Sequence, residues 1–207
     1  MTCGLTGSIL IAMNIGRPIQ FDPDKALDMA MQLFWCKGYE STSLQDLLNE
    51  MKLSKSSFYQ TFKSKSKLFQ NSIRNYQSML TDDLSMQLKK ADSGKAFIES
   101  LFFNVANETT GPDARRGCLL MNTASEFAQT DSSIANLVSD SLDQITSIFE
   151  KAIVQAQQEG EISKDKEARG LAIYLLSNMS GLKNMIKAGA DRETINRVVR
   201  IMLTALD

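Results

Sequence analysis

The sequence predicts an all-α protein, and two observations support that prediction. Strand-like alternation of apolar and polar residues is nearly absent, whereas long stretches place apolar side chains at the 3.6-residue spacing of a helix. Only three prolines occur, at positions 18, 23 and 112, so few points interrupt a helix. We expect about nine helices, grouped into a small N-terminal unit and a larger C-terminal one.

The first predicted helix has a clear start and stop. Asp22 is suited to cap its free N–H groups, Pro23 to its first position, and Asp24 to its positive end. Gly38 is the expected left-handed stop. The apolar stripe of this helix comprises Ala26, Leu27, Ala30, Leu33 and Phe34.

Two short helices joined by a tight turn follow. Thr42 or Ser43 is suited to cap the first of them, and Ser54 the second. On a helical wheel, Phe58 and Phe62 share one side of the second. The opposite half carries Ser56, Tyr59 and Gln60, with Ser57 at its edge and Lys55 at the exposed start. A helix-turn-helix uses such a polar face to read base edges in the major groove.

The charge distribution supports a nucleic-acid contact. Residues 51–81 contain no Asp or Glu but carry Lys52, Lys55, Lys63, Lys65, Lys67 and Arg74. Residues 13–81 hold nine Lys and Arg against six Asp and Glu, a balance of +3, and residues 82–207 are −4. A basic N-terminal unit on an acidic C-terminal one is typical of a protein that binds DNA at one end.

Four short elements occur in order within this region: Gly38-Tyr39, Thr42-Ser43, Ser57-Phe58-Tyr59 and Phe62-Lys63-Ser64-Lys65. They resemble the N-terminal domain of TetR-family transcriptional regulators, over roughly a quarter of the chain. Three positions depart from the family pattern. Lys52 stands where many relatives have glycine, Leu48 where alanine commonly allows close helix packing, and Lys63 where relatives usually have glycine or another small or polar residue.

The resemblance and the helical wheel together predict the DNA contacts. We expect contacts to bases or nearby phosphates from Lys55, Ser56, Ser57, Tyr59 and Gln60. We expect contacts to the DNA backbone from Thr42, Ser43 and Gln45. Lys65 is expected to hold a phosphate at the start of the fourth helix. That fourth helix, capped by Ser64 and running to about Lys90, is expected to couple the two domains.

We expect three segments: a flexible N-terminal tail over 1–20, a helix-turn-helix DNA-binding domain over 21–67, and an effector-binding and dimerisation domain over 68–207. Met13 is a candidate natural start, which makes residues 1–12 an upstream extension. In TetR-like proteins the last long helices pair across a two-fold axis, so we expect a homodimer through the C-terminal helices.

The second domain offers apolar residues for an effector pocket. The candidates are Phe97, Phe102, Cys118, Met121, Asn122, Phe149, Tyr174 and Asn178. Cys118 follows Arg115 and Arg116 and opens a helix, and both features favour a reactive thiolate. Its Gly-Cys-Leu setting is similar to that of some TetR-like regulators that sense electrophiles or oxidants. The alternative is a buried small residue at a helix start.

Composition argues against several other functions. The chain has no histidine, which removes the commonest metal ligand and the usual general base, and it lacks a phosphate-cradling glycine loop. We therefore expect no enzyme activity, no metal and no cofactor. The three cysteines are widely separated, which favours a reducing cytoplasm over a disulfide framework. The apolar run 9–13 is too short to span a membrane.

The sequence thus predicts a homodimeric regulator that binds double-stranded DNA. Its preferred form is a repressor released from a palindromic operator by an unidentified small-molecule or thiol-reactive effector. A constitutive DNA-binding protein without an effector is the alternative.

Overall fold

The computed structural model describes residues 21–110 and 114–207, so the predicted tail and residues 111–113 lie outside it. Within these ranges the regular structure consists of nine α-helices and two short 3₁₀ turns, with no strand. The helices are α1 (Pro23–Lys37), α2 (Leu44–Met51), α3 (Lys55–Phe62), α4 (Lys65–Lys90), α5 (Gly94–Val105), α6 (Leu119–Phe127), α7 (Ser132–Glu159), α8 (Ala168–Lys187) and α9 (Arg192–Leu203). The 3₁₀ turns are Ala106–Thr109, which extends α5, and Thr204–Leu206, which extends α9.

Side-chain caps fix the starts of the N-terminal helices. Asp22 Oδ1 accepts the N–H of Asp24 at 3.0 Å, as predicted for α1. Ser54 caps α3 and Ser64 caps α4, and each hydroxyl accepts the N–H three residues on. For α2 the cap is Ser43, in a reciprocal capping box with Asp46.

The first three helices bury one apolar side each; α1 and α3 pack against α4, and α2 packs against α1. Phe34, Leu47, Phe58, Phe62 and Phe69 lie in this part of the core. Helix α4 is 26 residues long and continues from the helix-turn-helix into the second unit, where it packs against α7. One rigid element therefore belongs to both halves of the molecule.

The C-terminal unit is built around α7, which packs against α4, α5, α6 and α8. It approaches α5 very closely at Gly94, the first residue of that helix. A Cβ placed on Gly94 would lie 2.0 Å from the carbonyl oxygen of Ala152 and 2.9 Å from the backbone nitrogen of Ala156. Only glycine allows the two backbones to lie this close.

Three residues near the helix-turn-helix have positive φ. Gly38, which ends α1, has φ 80° but ψ 166°, so the predicted positive φ is present without the predicted left-handed helical conformation. Lys52 ends α2 at φ 54° and ψ 42°, in the left-handed region. Lys63, between α3 and α4, has φ 67° and ψ −48°, and the N–H of Ser64 bonds the carbonyl of Phe62 across it at 2.8 Å. Lys63 is thus the centre of a strained γ-turn.

We expect Lys63→Gly to stabilise the protein. Relief of strain at a non-glycine γ-turn is worth about 1–3 kcal/mol, and the added freedom of the unfolded glycine takes back about 0.5–1 kcal/mol. The net gain of roughly 1 kcal/mol should raise Tm by about 2–4 °C in a thermal melt.

The control is Lys151→Gly, which removes the same side chain from an exposed position inside α7. It should lower stability by about 1 kcal/mol, because glycine weakens a helix interior. Equal destabilisation by both substitutions would show that Lys63 is not strained.

Candidate DNA-binding surface and effector cavity

Helix α3 presents one polar side to solvent. Phe58 and Phe62 are buried, and the opposite side carries the exposed Lys55, Ser56, Tyr59 and Gln60 with the half-buried Ser57 at its edge. We call these five residues, Lys55, Ser56, Ser57, Tyr59 and Gln60, the reading face. Tyr59, the aromatic residue of this face, is 44% exposed, although tyrosine rings more often pack against other side chains. The structure thus places all five on one surface, as the wheel predicts.

Hydroxyl groups cluster at the start of α3. Ser54 Oγ lies 3.0 Å from Ser56 Oγ and 2.9 Å from Ser57 Oγ, and it also caps the helix. These hydroxyls lie at the positive end of the helix, of which Lys55 is the first residue. The start of α3 is therefore a favourable place for a phosphate or a base-edge acceptor.

The structure corrects the role predicted for Thr42. Its side chain is fully buried, and its hydroxyl donates to the carbonyl of Gly38 at 2.6 Å. Thr42 therefore ties the α1–α2 turn together from inside and has no surface for a phosphate. Ser43 and Gln45, assigned the same role, are exposed; Gln45 Nε2 donates to Asn49 Oδ1 at 2.8 Å along α2.

Lys65 is held in place by an aromatic ring. Its Nζ lies 4.1 Å from the ring centroid of Tyr39, within the range of a cation–π contact. The Tyr39 ring also packs 4.8 Å from the ring of Phe69 and 5.2 Å from that of Phe127. Burial raises the pKa of Tyr39 above its ordinary value, with the nearby Glu40 carboxylate adding to the effect. The ammonium is thereby restrained at the first residue of α4.

A cavity of about 250 Å³ lies in the C-terminal unit, among α4, α5, α7, α8 and the start of α6. We call it the effector cavity. Its apolar wall consists of Leu80, Leu84, Leu101, Val105, Met121, Leu142, Ile145, Phe149, Leu176 and Met179. Its polar groups are those of Tyr76, Asp83, Gln87, Asn104, Glu108, Cys118, Ser180 and Lys183. Three of the predicted pocket residues, Cys118, Met121 and Phe149, therefore line it.

Two predicted aromatic pocket residues lie elsewhere. Phe97 and Phe102 are 2% and 0% exposed and belong to the packed core of α5. Phe102 packs behind the cavity wall, with its ring centroid 6.2 Å from that of Phe149. An apolar residue on a buried helix faces either a cavity or a neighbouring side chain, and the sequence pattern is the same for both.

Three predicted polar pocket residues also lie away from the cavity wall. Asn122 Nδ2 donates to the carbonyl of Arg116 at 2.8 Å, which closes the loop before α6. The Tyr174 hydroxyl donates to the carbonyl of Met202 at 3.1 Å and joins α8 to α9. Asn178 Nδ2 donates to the carbonyl of Tyr174 at 2.8 Å, within α8. Each side chain satisfies a local backbone group instead of facing a ligand.

The charged and amide residues of the cavity wall were missed because each is a single polar side chain among apolar ones; they are Asp83, Gln87, Asn104, Glu108 and Lys183. The clearest are Lys183 and Glu108, which form an ion pair between α8 and the 3₁₀ extension of α5. Asp83 adds a second carboxylate to the wall. The signal available in the sequence was the placement of Asp83 one turn from Leu80 and Gln87 on one side of α4.

Cys118 has a different neighbour from the one predicted. The hydroxyl of Tyr76 donates to its Sγ at 3.8 Å, and burial together with Cys118 raises the pKa of Tyr76. Arg116 instead points toward α1, where its Nη1 donates to Gln32 Oε1 at 2.7 Å and its guanidinium lies 5.6 Å from the Trp35 ring centroid. The predicted position of Cys118 at the start of α6 is confirmed.

Among the residues that the structure describes, no helix has the length and apolar character needed to cross a membrane. Nor do three or more Cys, Asp or Glu side chains in these ranges come together as a metal site would require.

Both halves of the chain match models of one protein family. Residues 26–71 match the bacterial regulatory proteins of the tetR family, and residues 94–202 match the tetracyclin repressor-like C-terminal domain. The chain belongs to the TetR family. It is therefore a DNA-binding transcriptional regulator, as its helix-turn-helix elements predict.

TetR-family relatives match along nearly the whole chain. It is 28% identical to the uncharacterised regulator YezE of Bacillus subtilis, over 93% of this chain and 100% of that protein. It is 29% identical to the transcriptional repressor ComR of Escherichia coli, over 88% of each.

Solved structures give the same architecture. A cysteine mutant of the TetR-family regulator CifR, complexed with a 26-bp double-strand operator DNA, superposes with a TM-score of 0.82 at 26% identity, over 93% of this chain and 100% of that one. The reduced form of Escherichia coli NemR superposes with a TM-score of 0.79 at 16% identity, over 86% and 93%, and this similarity shows the fold alone.

Proposed function

We propose that this TetR-family regulator is a homodimeric repressor that an effector releases from a palindromic operator. The observation that carries the proposal is the reading face, a polar and basic helix surface held outward by the buried Phe58 and Phe62. Two relatives support it: ComR is named a repressor, and the CifR mutant was solved on operator DNA. A protein bound to the chromosome acts in the cytoplasm.

The proposed contacts divide into two groups. Lys55, Ser56, Ser57, Tyr59 and Gln60 reach base edges or nearby phosphates. The DNA backbone is contacted by Ser43, Gln45 and Lys65. The boundary between the DNA-binding domain and the effector domain falls between residues 67 and 68, within α4. A two-fold symmetric dimer places its two reading faces on half-sites about one helical turn apart or slightly more.

We expect Lys65→Ala and Gln60→Ala to weaken DNA binding in different ways. Lys65→Ala removes a phosphate contact, so affinity should fall on every sequence and the salt slope should flatten by about one unit. Gln60→Ala removes a base contact, so it should cost roughly 1–3 kcal/mol on the operator and relax specificity there. Fluorescence anisotropy at several salt concentrations measures both effects.

The operator for this test is obtained by selection with the protein itself from a pool of random duplexes, which should yield a palindrome. A random duplex serves as the control DNA. Equal losses on operator and random DNA for both variants would remove the base-reading role of Gln60. A selected site without two-fold symmetry would argue against the dimeric mode.

The dimer is proposed to form through α8 and α9. Eight apolar residues of these helices are buried within their own chain, among them Leu175, Leu182 and Val199. Two large apolar side chains remain outward, Ile173 at 52% exposure and Ile201 at 68%. The exposed line of α8 around Ile173 is otherwise small and polar, consisting of Gly170, Ser177, Gly181 and Asn184. Small residues let two helices approach closely, which supports a helix pair across a two-fold axis.

The effector is proposed to be a small, mainly apolar molecule without negative charge. The effector cavity is about 250 Å³ and mostly apolar. Its two carboxylates, Asp83 and Glu108, outnumber the single ammonium of Lys183, which is already paired with Glu108. An anion would be desolvated beside excess negative charge, whereas a neutral molecule would not. Cys118 on the wall adds the option of a covalent bond.

We expect a matched ligand series to separate these features. Cinnamyl alcohol and cinnamaldehyde are neutral and of suitable size, whereas cinnamate has the same skeleton with a carboxylate. At about ten times its Kd, a ligand adds roughly 1.4 kcal/mol of stability and should raise Tm by about 3–5 °C. The two neutral compounds should do so, and cinnamate should not.

Cinnamaldehyde should also react with the thiol. The Cys118 Sγ forms a bond to the β-carbon of the enal and the thiol proton ends on the α-carbon, so the intact mass rises by one whole molecule. In a background that lacks Cys3 and the exposed Cys36, Cys118→Ser should abolish this gain and keep the thermal shift by cinnamyl alcohol. Release of operator DNA by cinnamaldehyde from Cys118→Ser would end the thiol-sensor hypothesis. A panel that never shifts Tm would favour the constitutive alternative.

A further inference from the structure

The end of α6 is bonded to the turn between α1 and α2. The carboxylate of Glu126 accepts the N–H of Tyr39 at 3.3 Å through Oε2 and the N–H of Glu40 at 2.9 Å through Oε1. Two consecutive backbone N–H groups that converge on one anion form a nest, and hydrogen bonds to a charged acceptor are stronger than neutral ones. One side chain of the effector domain thus holds the turn that leads into the helix-turn-helix.

That turn carries the residue that holds Lys65. Tyr39 places its ring beneath the Lys65 ammonium, 4.1 Å away, and against Phe127, the residue after Glu126. Glu126 fixes the backbone of Tyr39, and Phe127 fixes its ring. The position of the Lys65 ammonium therefore depends on α6 through a single intervening residue.

The other end of α6 lies at the effector cavity. Cys118 is the residue immediately before the helix and Met121 lies in its first turn, and both line the cavity wall. A helix of this length moves as a unit, so displacement at Cys118 shifts Glu126 as well.

We infer that Glu126 is a positioning residue for DNA binding, which holds Tyr39 and, through it, the phosphate-contacting Lys65. The inference rests on the proposed function, since it takes the phosphate contact of Lys65 from there. Glu126 itself touches no DNA. It also connects the state of the cavity to the DNA-binding end by a route separate from α4.

A purely structural role fits these contacts less well. Glu40 is exposed and Tyr39 is half-buried, so water is available to replace a lost carboxylate at these turn amides. The loss of Glu126 should therefore change the thermal stability little. What water does not supply is a fixed connection between α6 and the turn.

A double-mutant cycle tests the inference. Affinity for the selected operator and for a random duplex is measured with wild type, Glu126→Ala, Lys65→Ala and the double variant. We expect each single variant to lose about tenfold on both DNAs, and the double variant to lose about ten- to twentyfold, because the two residues act through one contact. Independent residues would give a loss of about a hundredfold, and that result would overturn the inference.

Two further variants separate positioning from general damage. Glu126→Gln keeps one acceptor oxygen and should remain within about threefold of wild type on both DNAs. Ser125→Ala, on the neighbouring exposed position of α6, should have no effect. Tm should stay within about a degree in all of them; a large drop for Glu126→Ala would make its role structural and contradict the inference.

Amide hydrogen exchange tests the contact between Glu126 and the α1–α2 turn directly. In Glu126→Ala the Tyr39 and Glu40 amides should lose protection, while the amides of α1 keep theirs. If Lys65→Ala leaves DNA binding unchanged, the proposed phosphate contact fails and the inference fails with it. If Lys65→Ala weakens binding and Glu126→Ala does not, the proposed function stands and only the positioning role falls.

Discussion

Gly94→Ala should destabilise the protein by about 3 kcal/mol or more and lower its Tm by about 6–12 °C. The added methyl group would lie 2.0 Å from the carbonyl oxygen of Ala152 and 3.0 Å from its carbonyl carbon, and both are backbone atoms of α7. A flexible side chain moves aside at little cost, but here α5 and α7 must separate. Better helix propensity returns only about 1 kcal/mol, so the clash decides the sign. Thermal and urea melts at one protomer concentration measure the change.

The control for Gly94→Ala is Ser100→Ala, on the exposed side of the same helix. It removes a hydroxyl that accepts a long hydrogen bond from Asn104 Nδ2, at 3.5 Å, and should change stability by less than about 0.5 kcal/mol. If Gly94→Ala were as stable as wild type, the close approach of α5 and α7 would be wrong.

Replacement of both Ile173 and Ile201 by Asp should convert the proposed dimer into monomers and reduce operator affinity by at least about a hundredfold. Both side chains point away from their own core, so the monomer should keep its fold. In the proposed dimer the four introduced carboxylates would be desolvated without partners, at several kcal/mol each. A monomer then occupies one half-site alone and loses the contribution of the second. Sedimentation velocity and anisotropy on the selected operator measure the two effects.

Met86→Asp is the matched control, because Met86 is 51% exposed but lies on α4. It should leave both the dimer and DNA binding intact. A double variant that stays dimeric, or a Met86 variant that dissociates, would place the interface elsewhere. Circular dichroism of the double variant shows whether the monomer stays helical, so an unfolded protein is not mistaken for a dissociated one.

The N-terminal fold was predictable because short-range chemistry specifies it. Asp22, Ser54 and Ser64 each bond an N–H two or three residues away, so the sequence alone contains both partners of these helix starts. The same holds for the reading face, because the position of Phe58 and Phe62 on a wheel determines which residues point outward. Even here, the sequence left Thr42 and Ser43 as equal candidates for the cap of α2. The choice depends on Gly38, whose carbonyl takes the Thr42 hydroxyl.

The effector cavity was less predictable because it depends on contacts between distant segments. Tyr76 on α4 contacts Cys118 at the start of α6. Lys183 on α8 forms an ion pair with Glu108 in the 3₁₀ extension of α5. Phe97 and Met121 both belong to apolar stripes of predicted helices, yet of these two only Met121 lines the cavity. Glu126 gave no signal at all, since a lone glutamate near the end of a short helix usually faces water.

Because α4 is long, a small movement at its cavity end produces a larger displacement at its DNA-binding end. Leu80 lies on the cavity wall, and the stretch back to Lys65 spans about 22 Å at roughly 1.5 Å per residue. A tilt of about 5° about the cavity end would displace the far end by about 2 Å, which is close to a hydrogen-bond length. In a two-fold dimer both lever arms swing, so the separation of the reading faces changes by up to about 4 Å against half-sites about 34 Å apart. Because DNA fixes its own spacing, the proposed release would need no unfolding and no blocked surface; a change in the separation of the two reading faces would be enough.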